Sequence, residues 1–338
     1  MIPEANQPAV TRALHAAFGV NEYEDIRLLT GGLSTAFAFK IVVRGNPYLL
    51  KILRTEVISD PAHEFACMQT AAEAGIAPRI WYASVEDRVL ITDYVEAKPL
   101  PIDLLPLIVP TLRTLHSLPH FPRPKMGNYF DTMDKFFVRR FQAAKLLPDS
   151  ATEEVFRRYA DIVKVYPRND ADLVASHNDL KPQNIRFDGE HIWLVDWESA
   201  FLNDEYVDLA IVANFFVTNE AQEEDYLRAY FGEPAGERSE RSEYRRARFY
   251  LMRQALSMFY AALLLLEASR AGLSINADMT TPDFREFHQD LISDKVDMLT
   301  AEAKLQYGMI HLREALRNMR TPRFAEAVAR VGDFHSSA

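Results

Sequence analysis

One run near the middle of the chain, residues 176–198, most constrains what the sequence can fold into. It reads SHNDLKPQNIRFDGEHIWLVDWE. Two short segments rich in β-branched and aromatic residues, 184–187 and 192–196, flank an Asp-Gly turn signal, and this pattern predicts a β-hairpin. Such a hairpin returns Asp196 to the end where Asn184 begins, so that an amide oxygen and a carboxylate can share one hard cation.

The polar residues of this run suit the transfer of a phosphoryl group. That reaction needs Mg²⁺ held by oxygen ligands, and a carboxylate that orients the attacking hydroxyl and takes its proton. Asn184 and Asp196 fit the first role, and Asp179, in the loop before the hairpin, fits the second. His-x-Asp, followed five residues later by Asn and then by an apolar strand ending in Asp, is the catalytic-loop and metal-loop arrangement of kinases. The alternative is a polar turn followed by an ordinary surface hairpin.

The chain resembles the aminoglycoside phosphotransferase and choline kinase superfamily, and within it the bacterial choline or ethanolamine kinase-like proteins. The resemblance is carried by HNDLKPQN at 177–184, VDWESA at 195–200, the pair Asn203 and Asp204, and Asp208 with the two residues after it. It implies that Asp179 is the catalytic base and that Asn184 and Asp196 hold magnesium. It also implies that Asp208 supports the catalytic loop, although a charge at a helix N-terminus is an equal alternative.

The N-terminal part carries candidates for binding the phosphates of ATP. Two predicted strands flank a glycine turn whose amides and hydroxyls could approach phosphate oxygens, with Gly31, Gly32, Ser34 and Thr35 as candidates. The next strand contains Lys51, a lone cation among apolar residues, which needs an anion at its tip if it is buried. Glu64, in the first turn of a helix predicted at 61–74, is its candidate partner. Singly, Lys51 could be an edge-strand lysine and Glu64 a first-turn acid, but their order matches the superfamily's first lobe.

A composition shift indicates where that lobe ends. The last predicted strand of the lobe runs into Asp93, Tyr94 and Val95, whose main chain is the candidate for binding adenine in a lobe of this kind. Residues 99–124 then hold seven of the 18 prolines of the chain. We therefore predict two domains: residues 1–95 as a nucleotide-binding lobe and residues 96–338 as a catalytic and substrate-binding lobe.

The pattern of predicted elements, with the resemblance, gives an α+β, protein-kinase-like fold of two lobes. The N-terminal lobe is a small antiparallel sheet with one helix, and the C-terminal lobe is larger and mostly α-helical. Helical periodicity covers 104–118, 130–147, 152–165, 207–217, 220–230, 241–267, 283–303 and 314–331, the last broken near Pro322. A separate amphipathic helix at 7–18 is expected to pack on the first lobe. With 338 residues, 48% of them hydrophobic, the chain can build substantial cores.

Charge and cysteine content exclude several classes of protein. A formal net charge of −10 argues against a nucleic-acid or anionic-membrane surface, and it is compatible with a cationic substrate. Cys67 is the only cysteine, so it can form neither an intramolecular disulfide nor a Cys-based zinc site, and we expect it to be buried. The first residues lack a signal-peptide pattern, and the longest apolar run, 260–266, is far below the roughly twenty residues of a membrane span. We expect a cytoplasmic protein that does not insert into membranes.

The aromatic-rich helices after residue 208 suggest how an acceptor would be bound. An aromatic cage attracts an ammonium group by about 0.5–2 kcal/mol per ring. In choline kinases the substrate aromatics come from helices in this region, so the resemblance makes Phe216 and Tyr260 candidates, although aromatics at helical spacing are usually core. Glu198 and Asp204 are the acids best placed to meet the substrate or a second metal.

The leading hypothesis is therefore an ATP-dependent, magnesium-dependent kinase that phosphorylates a hydroxyl of a small amino alcohol, with choline or ethanolamine first. An aminoglycoside, homoserine, thiamine or a sugar is the competing set of acceptors. A protein kinase is disfavoured because Asn178 replaces the arginine that reads an activation loop, and because Trp197 and Glu198 replace Phe-Gly. A non-catalytic nucleotide-binding scaffold is the alternative from another class. It is disfavoured because base, metal ligands and lysine are all present.

Overall fold

The computed structural model describes residues 2–29, 36–54, 60–101, 103–119, 121–123, 128–169, 173–234, 238–293 and 295–336. The chain forms two compact units. The first unit comprises Met1–Pro122 and Pro182–Phe201, and the second comprises Arg123–Lys181 and Leu202–Ala338. The chain therefore leaves the first unit, returns to it for the segment that contains the hairpin, and leaves again. The domain boundary placed near residue 96 lies inside the first unit and stays a prediction.

The described residues contain strands and helices in the order that the periodicity indicates. The strands are β1 (Asp25–Leu28), β2 (Ala36–Val43), β3 (Asn46–Leu53), β4 (Ile80–Ser84), β5 (Val89–Asp93), β6 (Leu173–Ser176), β7 (Ile185–Phe187), β8 (Ile192–Leu194) and β9 (Phe201–Asp204). The helices are α1 (Gln7–Phe18), α2 (Pro61–Glu73), α3 (Leu105–His116), α4 (Tyr129–Met133), α5 (Arg139–Ala144), α6 (Asp149–Val165), α7 (Glu205–Phe216), α8 (Glu220–Phe231), α9 (Glu240–Arg270), α10 (Phe284–Ile292), α11 (Ala301–Met319) and α12 (Pro322–Ser336).

The first unit is built on a five-stranded antiparallel sheet with strand order β1-β2-β3-β5-β4. Strand β3 is central: Lys51 lies opposite Ala38 of β2 on one side and Leu90 of β5 on the other. The edge-strand alternative for Lys51 is therefore wrong. The antiparallel N-terminal sheet and the larger helical C-terminal part confirm the predicted α+β, kinase-like fold class.

Two helices accompany this sheet, the helix predicted at 61–74 and the separate amphipathic helix predicted at 7–18. Helix α1 packs on it, because Val10 and Leu14 share a buried core with Phe39 and Ile41, as the amphipathic pattern predicts. Helix α2 begins at an N-cap, where the Asp60 side chain accepts a hydrogen bond from the His63 amide at 3.2 Å. The sheet therefore receives helices from before and after its first three strands.

The second unit is mostly helical and is organised on α9, which is 31 residues long and packs against α6, α7, α11 and α12. Within the described part of the chain, α9 is the one helix long and apolar enough to cross a bilayer, but 72% of its most apolar window is buried inside the protein. A core helix meets the same criteria, so this is weak evidence for a membrane span. The length of the longest apolar run did not indicate this helix, because single charged residues interrupt the apolar sequence of α9.

The prediction of one helix over 283–303 is wrong, because the chain forms parts of two helices there, α10 and α11. Asp283 caps α10 by accepting from the Arg285 amide at 2.8 Å, and Thr300 caps α11 by accepting from the Ala303 amide at 3.2 Å. Helix α11 then continues through Gly308, where a side-chain Cβ would lie 2.8 Å from Leu265 Cγ of α9. The predicted break near Pro322 is confirmed, since α12 begins at that residue.

Candidate active site

The predicted hairpin is present and brings Asn184 beside the segment that carries Asp196. Ile185 pairs with Leu194, and the Val195 amide donates to the Asn184 carbonyl oxygen at 3.0 Å. Asp188 closes the turn, because its carboxylate accepts from the amides of Glu190 and His191 and from Trp193 Nε1, all within 2.8 Å. These donors, with the His191 amide contributing most, lower the pKa of Asp188 to about 2.

The turn of the hairpin is also attached to the chain that follows β5. The Lys98 amide donates to the Phe187 carbonyl oxygen at 2.7 Å. Gly189 has φ +108°, and a Cβ there would collide with the end of the Lys98 side chain. The Lys98 side chain is flexible and could move aside, but only glycine enters this backbone region readily, so the backbone conformation requires glycine at this position.

The charged centre of the first unit is Lys51, held between two carboxylates. Its Nζ lies 2.8 Å from Glu64 Oε1 and 2.9 Å from Asp196 Oδ1. The Lys51 side chain is 12% exposed, that of Glu64 3% and that of Asp196 35%. Burial alone would lower the pKa of Lys51, but Asp196 and Glu64 outweigh burial and raise that pKa above its ordinary value. The predicted Lys51–Glu64 ion pair is confirmed, and Asp196 is a second partner that the sequence did not suggest.

Two features leave this centre able to take a ligand. Glu64 Oε2 is buried and accepts no hydrogen bond, although the other oxygen is fully engaged. Asp196 has left-handed backbone angles, φ +70° and ψ 70°, which are strained for a residue with a Cβ. Strain of this kind concentrates at functional sites, where the surrounding structure holds it in place. Asp196 is therefore held at some cost in the position where it meets Lys51.

The helix that carries Glu64 is anchored to the chain just after Asp196. His63 Nε2 and the Ala200 carbonyl oxygen form a hydrogen bond, and Cys67 Sγ lies 3.8 Å from the same oxygen. Trp197 is fully buried and packs edge-on against Phe121 with ring centroids 6.1 Å apart. Cys67 is buried as expected, and burial followed by the charge of Glu64 raises the pKa of its thiol to about 12. The thiol is therefore an inert packing group at neutral pH.

The loop that carries Asp179 belongs to the second unit and is fixed by Asp208. The carboxylate of Asp208 is fully buried and accepts from the His177 amide at 2.8 Å and from the Asn178 amide at 2.7 Å. Asp208 also lies in the first turn of α7. Asp208 is therefore both a charge at a helix N-terminus and a group that supports the loop, the two interpretations made from the sequence.

Aromatic rings lie close to Asp179 in the second unit. Burial first, and then the charge of Asp179, raises the pKa values of Tyr129 and Tyr260 above their ordinary values. Phe259 lies between these two phenols, with ring centroids 6.3 Å from Tyr129 and 5.3 Å from Tyr260. Asp179 itself accepts from Lys181 Nζ at 2.6 Å. Tyr260 is thus near the predicted base, as is Tyr129, which the sequence did not suggest.

The other predicted acceptor residues have different surroundings. Phe216 is half-buried beside Phe215, with ring centroids 6.3 Å apart, and Glu198 is exposed. Asp204 is buried: its Oδ1 caps α7, and its Oδ2 accepts from Tyr166 Oη at 2.9 Å and from Arg248 at 2.8 Å. Because both of its oxygens are engaged within the unit, we do not carry Asp204 forward as a substrate residue.

The remaining nucleotide candidates are only partly described. Gly31, Gly32, Ser34 and Thr35 lie outside the described residues. Asp93 ends β5; its carboxylate accepts from Trp81 Nε1 at 2.6 Å and its amide donates to the Arg79 carbonyl oxygen. Lys40 Nζ lies 4.3 Å from the centroid of the Tyr94 ring, and Val95 is half-buried. Adenine binding by this segment stays a prediction.

The donor set at Asn184 and Asp196 fits a hard divalent cation. One side-chain amide and one carboxylate, completed by water and phosphate oxygens, is how proteins commonly hold Mg²⁺. Among the residues that the structure describes, no group of three or more His, Cys, Asp or Glu side chains could hold a metal ion. A metal here would therefore depend on the oxygens of a bound phosphate as well as on the protein.

A sequence model of the phosphotransferase enzyme family matches residues 25–250, about two thirds of the chain. The chain belongs to this family. It is therefore an enzyme of the phosphotransferase class, and the resemblance drawn from the catalytic-loop residues is confirmed. No curated protein sequence matches this phosphotransferase.

Solved structures share the fold of this phosphotransferase at low sequence identity. A choline/ethanolamine kinase family protein from Mesorhizobium loti is 21% identical, with a TM-score of 0.66, covering 97% of this chain and 99% of that one. A choline kinase from Cryptosporidium parvum is 12% identical, with a TM-score of 0.65 and coverage of 98% and 99%. A spectinomycin phosphotransferase in complex with ADP and spectinomycin is 13% identical, with a TM-score of 0.54 and coverage of 96% and 98%.

Several residues of the phosphotransferase site were missed by reasoning from the sequence. Tyr129 is 50 positions from Asp179, and only the fold of the second unit, in which the Tyr129 ring contacts Phe259 of α9, brings it within electrostatic reach of that carboxylate. The left-handed backbone of Asn178, φ +64°, was equally unexpected. Its type was an available signal, because asparagine enters this region more readily than other residues with a Cβ.

Proposed function

We propose that this phosphotransferase is an ATP-dependent small-molecule kinase that transfers the γ-phosphoryl group to a hydroxyl of a small amino alcohol such as choline or ethanolamine. The observation that carries the proposal is the buried Lys51 ammonium bound to both Glu64 and Asp196. A lysine paired with a helix glutamate and set beside a metal-binding aspartate is how kinases hold the phosphates that are not transferred. We place the protein in the cytoplasm, where ATP is available.

Lys51 would be the principal protein group that binds the phosphates of the nucleotide. Its ammonium would contact the α- and β-phosphates, and Glu64 would keep it in place. The amides near Gly31 and Gly32 and the hydroxyls of Ser34 and Thr35 would add donors, while the main chain of 93–95 would bind adenine. The ADP in the spectinomycin phosphotransferase structure supports nucleotide use by this fold.

Asn184 and Asp196 would hold magnesium through their side-chain oxygens. When bound, Mg²⁺ neutralises charge on the phosphate oxygens during the transfer. Asp196 lies next to Lys51, so it connects the metal ligands to the phosphate-binding lysine. This shared position is the reason that we assign it to the metal rather than to the acceptor.

Asp179 would act as the general base. Its carboxylate orients the acceptor hydroxyl and takes its proton, the hydroxyl oxygen forms a bond to the γ-phosphorus, and the bond from that phosphorus to the β–γ bridging oxygen breaks, releasing ADP. Lys181 donates to Asp179, and this contact holds the carboxylate in one orientation. The reaction needs no other group to accept the proton.

The surroundings of Asp179 favour a cationic acceptor. Tyr129 and Tyr260 lie within electrostatic reach of the carboxylate, Phe259 packs against both phenols, and ring faces attract ammonium groups. The net charge of −10 favours the approach of a cation. Phe216 and Glu198 remain candidates for the outer part of the acceptor site. Aminoglycosides, which also carry ammonium groups, are the second acceptor class, followed by homoserine, thiamine and sugars.

The test is ADP formation by the purified protein with Mg²⁺ and ATP across choline, ethanolamine, homoserine, thiamine, sugars and aminoglycosides. We expect an amino alcohol to stimulate turnover, and Asp179→Asn to reduce it by about 10²- to 10⁴-fold while nucleotide binding persists. Asp225→Asn, an exposed aspartate on α8, is the matched control and should behave as wild type. If ATP binds but no acceptor stimulates turnover, the kinase proposal fails and a nucleotide-binding scaffold replaces it.

A further inference from the structure

The residue before the predicted base has an unusual backbone. Asn178 has φ +64°, in the left-handed region, which asparagine enters more readily than other residues with a Cβ but less readily than glycine. It is buried, and the next residue in the chain is Asp179. A change of φ at residue 178 would rotate the chain that carries Asp179, so whatever holds this conformation also sets the direction of that carboxylate.

Hydrogen bonds from three directions hold Asn178. Its amide donates to Asp208, its side-chain Nδ2 donates to the Ser176 carbonyl oxygen at 3.3 Å, and its Oδ1 accepts from Asn203 Nδ2 at 2.6 Å. The first two contacts lie within the loop and its direct support. The third comes from Asn203, at the end of β9 and 25 positions along the chain. Asn203 is therefore, with Asp208 of α7, a side chain from another element that reaches Asn178, and its contact is with the Asn178 side chain.

The orientation of the Asn203 amide is determined by its second contact. Asn203 Oδ1 accepts from the Asp204 amide at 2.8 Å, so its Nδ2 must face Asn178. Asp204 is in turn held by Tyr166 and Arg248. All of these side chains are buried. Both ends of the Asn203 side chain are thus engaged, and neither is exchangeable with water without leaving a buried polar group unpaired.

We propose that Asn203 is a positioning residue for the reaction: its amide holds Asn178 in the left-handed conformation and thereby aims the Asp179 carboxylate. In this role Asn203 acts on the reaction through Asn178 and Asp179. The inference rests on the proposed function for its kinetic readout, but the contact between the two asparagines stands on its own.

A double-mutant cycle on kcat tests this role. Asn203→Leu keeps the size of the side chain and removes both hydrogen bonds, so we expect kcat to fall by about 10- to 100-fold with the KM for ATP unchanged, as for a small displacement of a catalytic group. Glycine reaches the left-handed region without help. In an Asn178→Gly background, Asn203→Leu should therefore change kcat by no more than about twofold, which is the scatter within which effects are normally additive, so the two substitutions would be strongly non-additive.

Asn219→Ala is the control for simple loss of stability. Asn219 caps α8 by accepting from the Gln222 amide, and it is exposed and remote from the loop in sequence. This variant should lower the melting temperature and leave kcat unchanged. If Asn203→Leu lowers kcat equally in both backgrounds, Asn203 does not act through Asn178 and the positioning role is wrong.

A measurement that needs no turnover separates this inference from the proposed function. Amide hydrogen exchange of a peptide spanning residues 176–181 should become faster in Asn203→Leu and stay unchanged in Asn219→Ala. Unchanged exchange in Asn203→Leu would overturn the inference even for an active enzyme. If the wild type turns over no acceptor, the proposed function fails and the exchange result alone decides the role of Asn203.

Discussion

The charged centre around Lys51 in the first unit and the hydrogen bonds around Asp208 in the second unit differ in how their polar groups are paired. Around Lys51, full charges face one another, one carboxylate oxygen of Glu64 has no hydrogen-bond donor, and Asp196 is one-third exposed. Around Asp208, backbone amides and neutral side-chain amides are matched to acceptors in a buried network. The first arrangement has capacity left for a ligand, whereas the second uses its capacity to fix a backbone.

This difference teaches where substitutions should act. Under the proposed function, changing a charge at the first centre should alter both folding and nucleotide binding, because the same ion pairs would serve both. Changing the neutral side-chain amides of the second region, Asn178 and Asn203, should alter only the direction of the Asp179 carboxylate. Buried charge is the more expensive of the two to disturb, since an uncompensated ion in the interior costs more than a lost neutral hydrogen bond.

The largest effect should follow from Lys51→Met. Glu64 would then be a buried carboxylate without its cation, and we expect a loss of about 3–5 kcal/mol in the free energy of unfolding, with nucleotide binding abolished. Denaturant unfolding and nucleotide titration measure both. Lys40→Met is the matched control from the neighbouring strand: its partner Glu96 is exposed, so the loss should stay below about 1 kcal/mol. Equal losses in the two variants would contradict the contrast between the two regions.

Acid should affect the second unit first. His288 and His311 are buried there; burial and then Arg285 lower the pKa of His288 to about 3, and burial lowers that of His311 well below its ordinary value. Between pH 6.5 and 3 the unfolded chain binds protons that the native His288 does not, so stability falls as pH falls, by up to about 1.4 kcal/mol per pH unit for each histidine. Above pH 6.5 neither histidine changes stability.

The tryptophans allow this effect to be assigned to a unit. Trp81, Trp193 and Trp197 all belong to the first unit, so their fluorescence reports that unit, while far-UV circular dichroism is dominated by the helices of the second. When the pH is lowered from 7 to 5, the urea concentration at the midpoint of the helical signal should fall more than that of the fluorescence signal. Coincident transitions in the wild type, or an unchanged pH dependence in His288→Gln, would count against the assignment. Exposed His15→Gln is the control.

The smallest effect should come from the hairpin turn. Gly189→Ala forces a Cβ into a backbone with φ +108° and into the Lys98 side chain, whereas Gly45→Ala meets open space at φ +74°. We expect Gly189→Ala to cost about 1 kcal/mol more than Gly45→Ala in the free energy of unfolding followed by tryptophan fluorescence. If the two glycines are equivalent, the Lys98 segment does not constrain the turn.

The parts of the site that the sequence predicts are those encoded locally. The Asp-Gly turn between two short strands was enough to place Asn184 beside the chain of Asp196, and apolar neighbours were enough to expect a buried and paired Lys51. These inferences need only two facts: successive side chains of a strand point to opposite faces, and a buried charge is costly unless it is paired.

The parts that the sequence did not predict depend on contacts between distant segments or on weak local signals. The bond from Asn203 to Asn178 and the position of Tyr129 near Asp179 require the packed second unit. The break between α10 and α11 depends on Thr300 acting as a cap, which periodicity cannot distinguish from a helix interior.

The return of the chain to the first unit has a consequence for biosynthesis. Asp196 lies 145 residues after Lys51, so at about 5–20 residues per second the ribosome adds it roughly 7–29 seconds later. During that interval the nascent sheet has Glu64, but not Asp196, to neutralise its central lysine. Synthesis of the first unit thus begins early in translation and ends late, when the segment that contains the hairpin has been added.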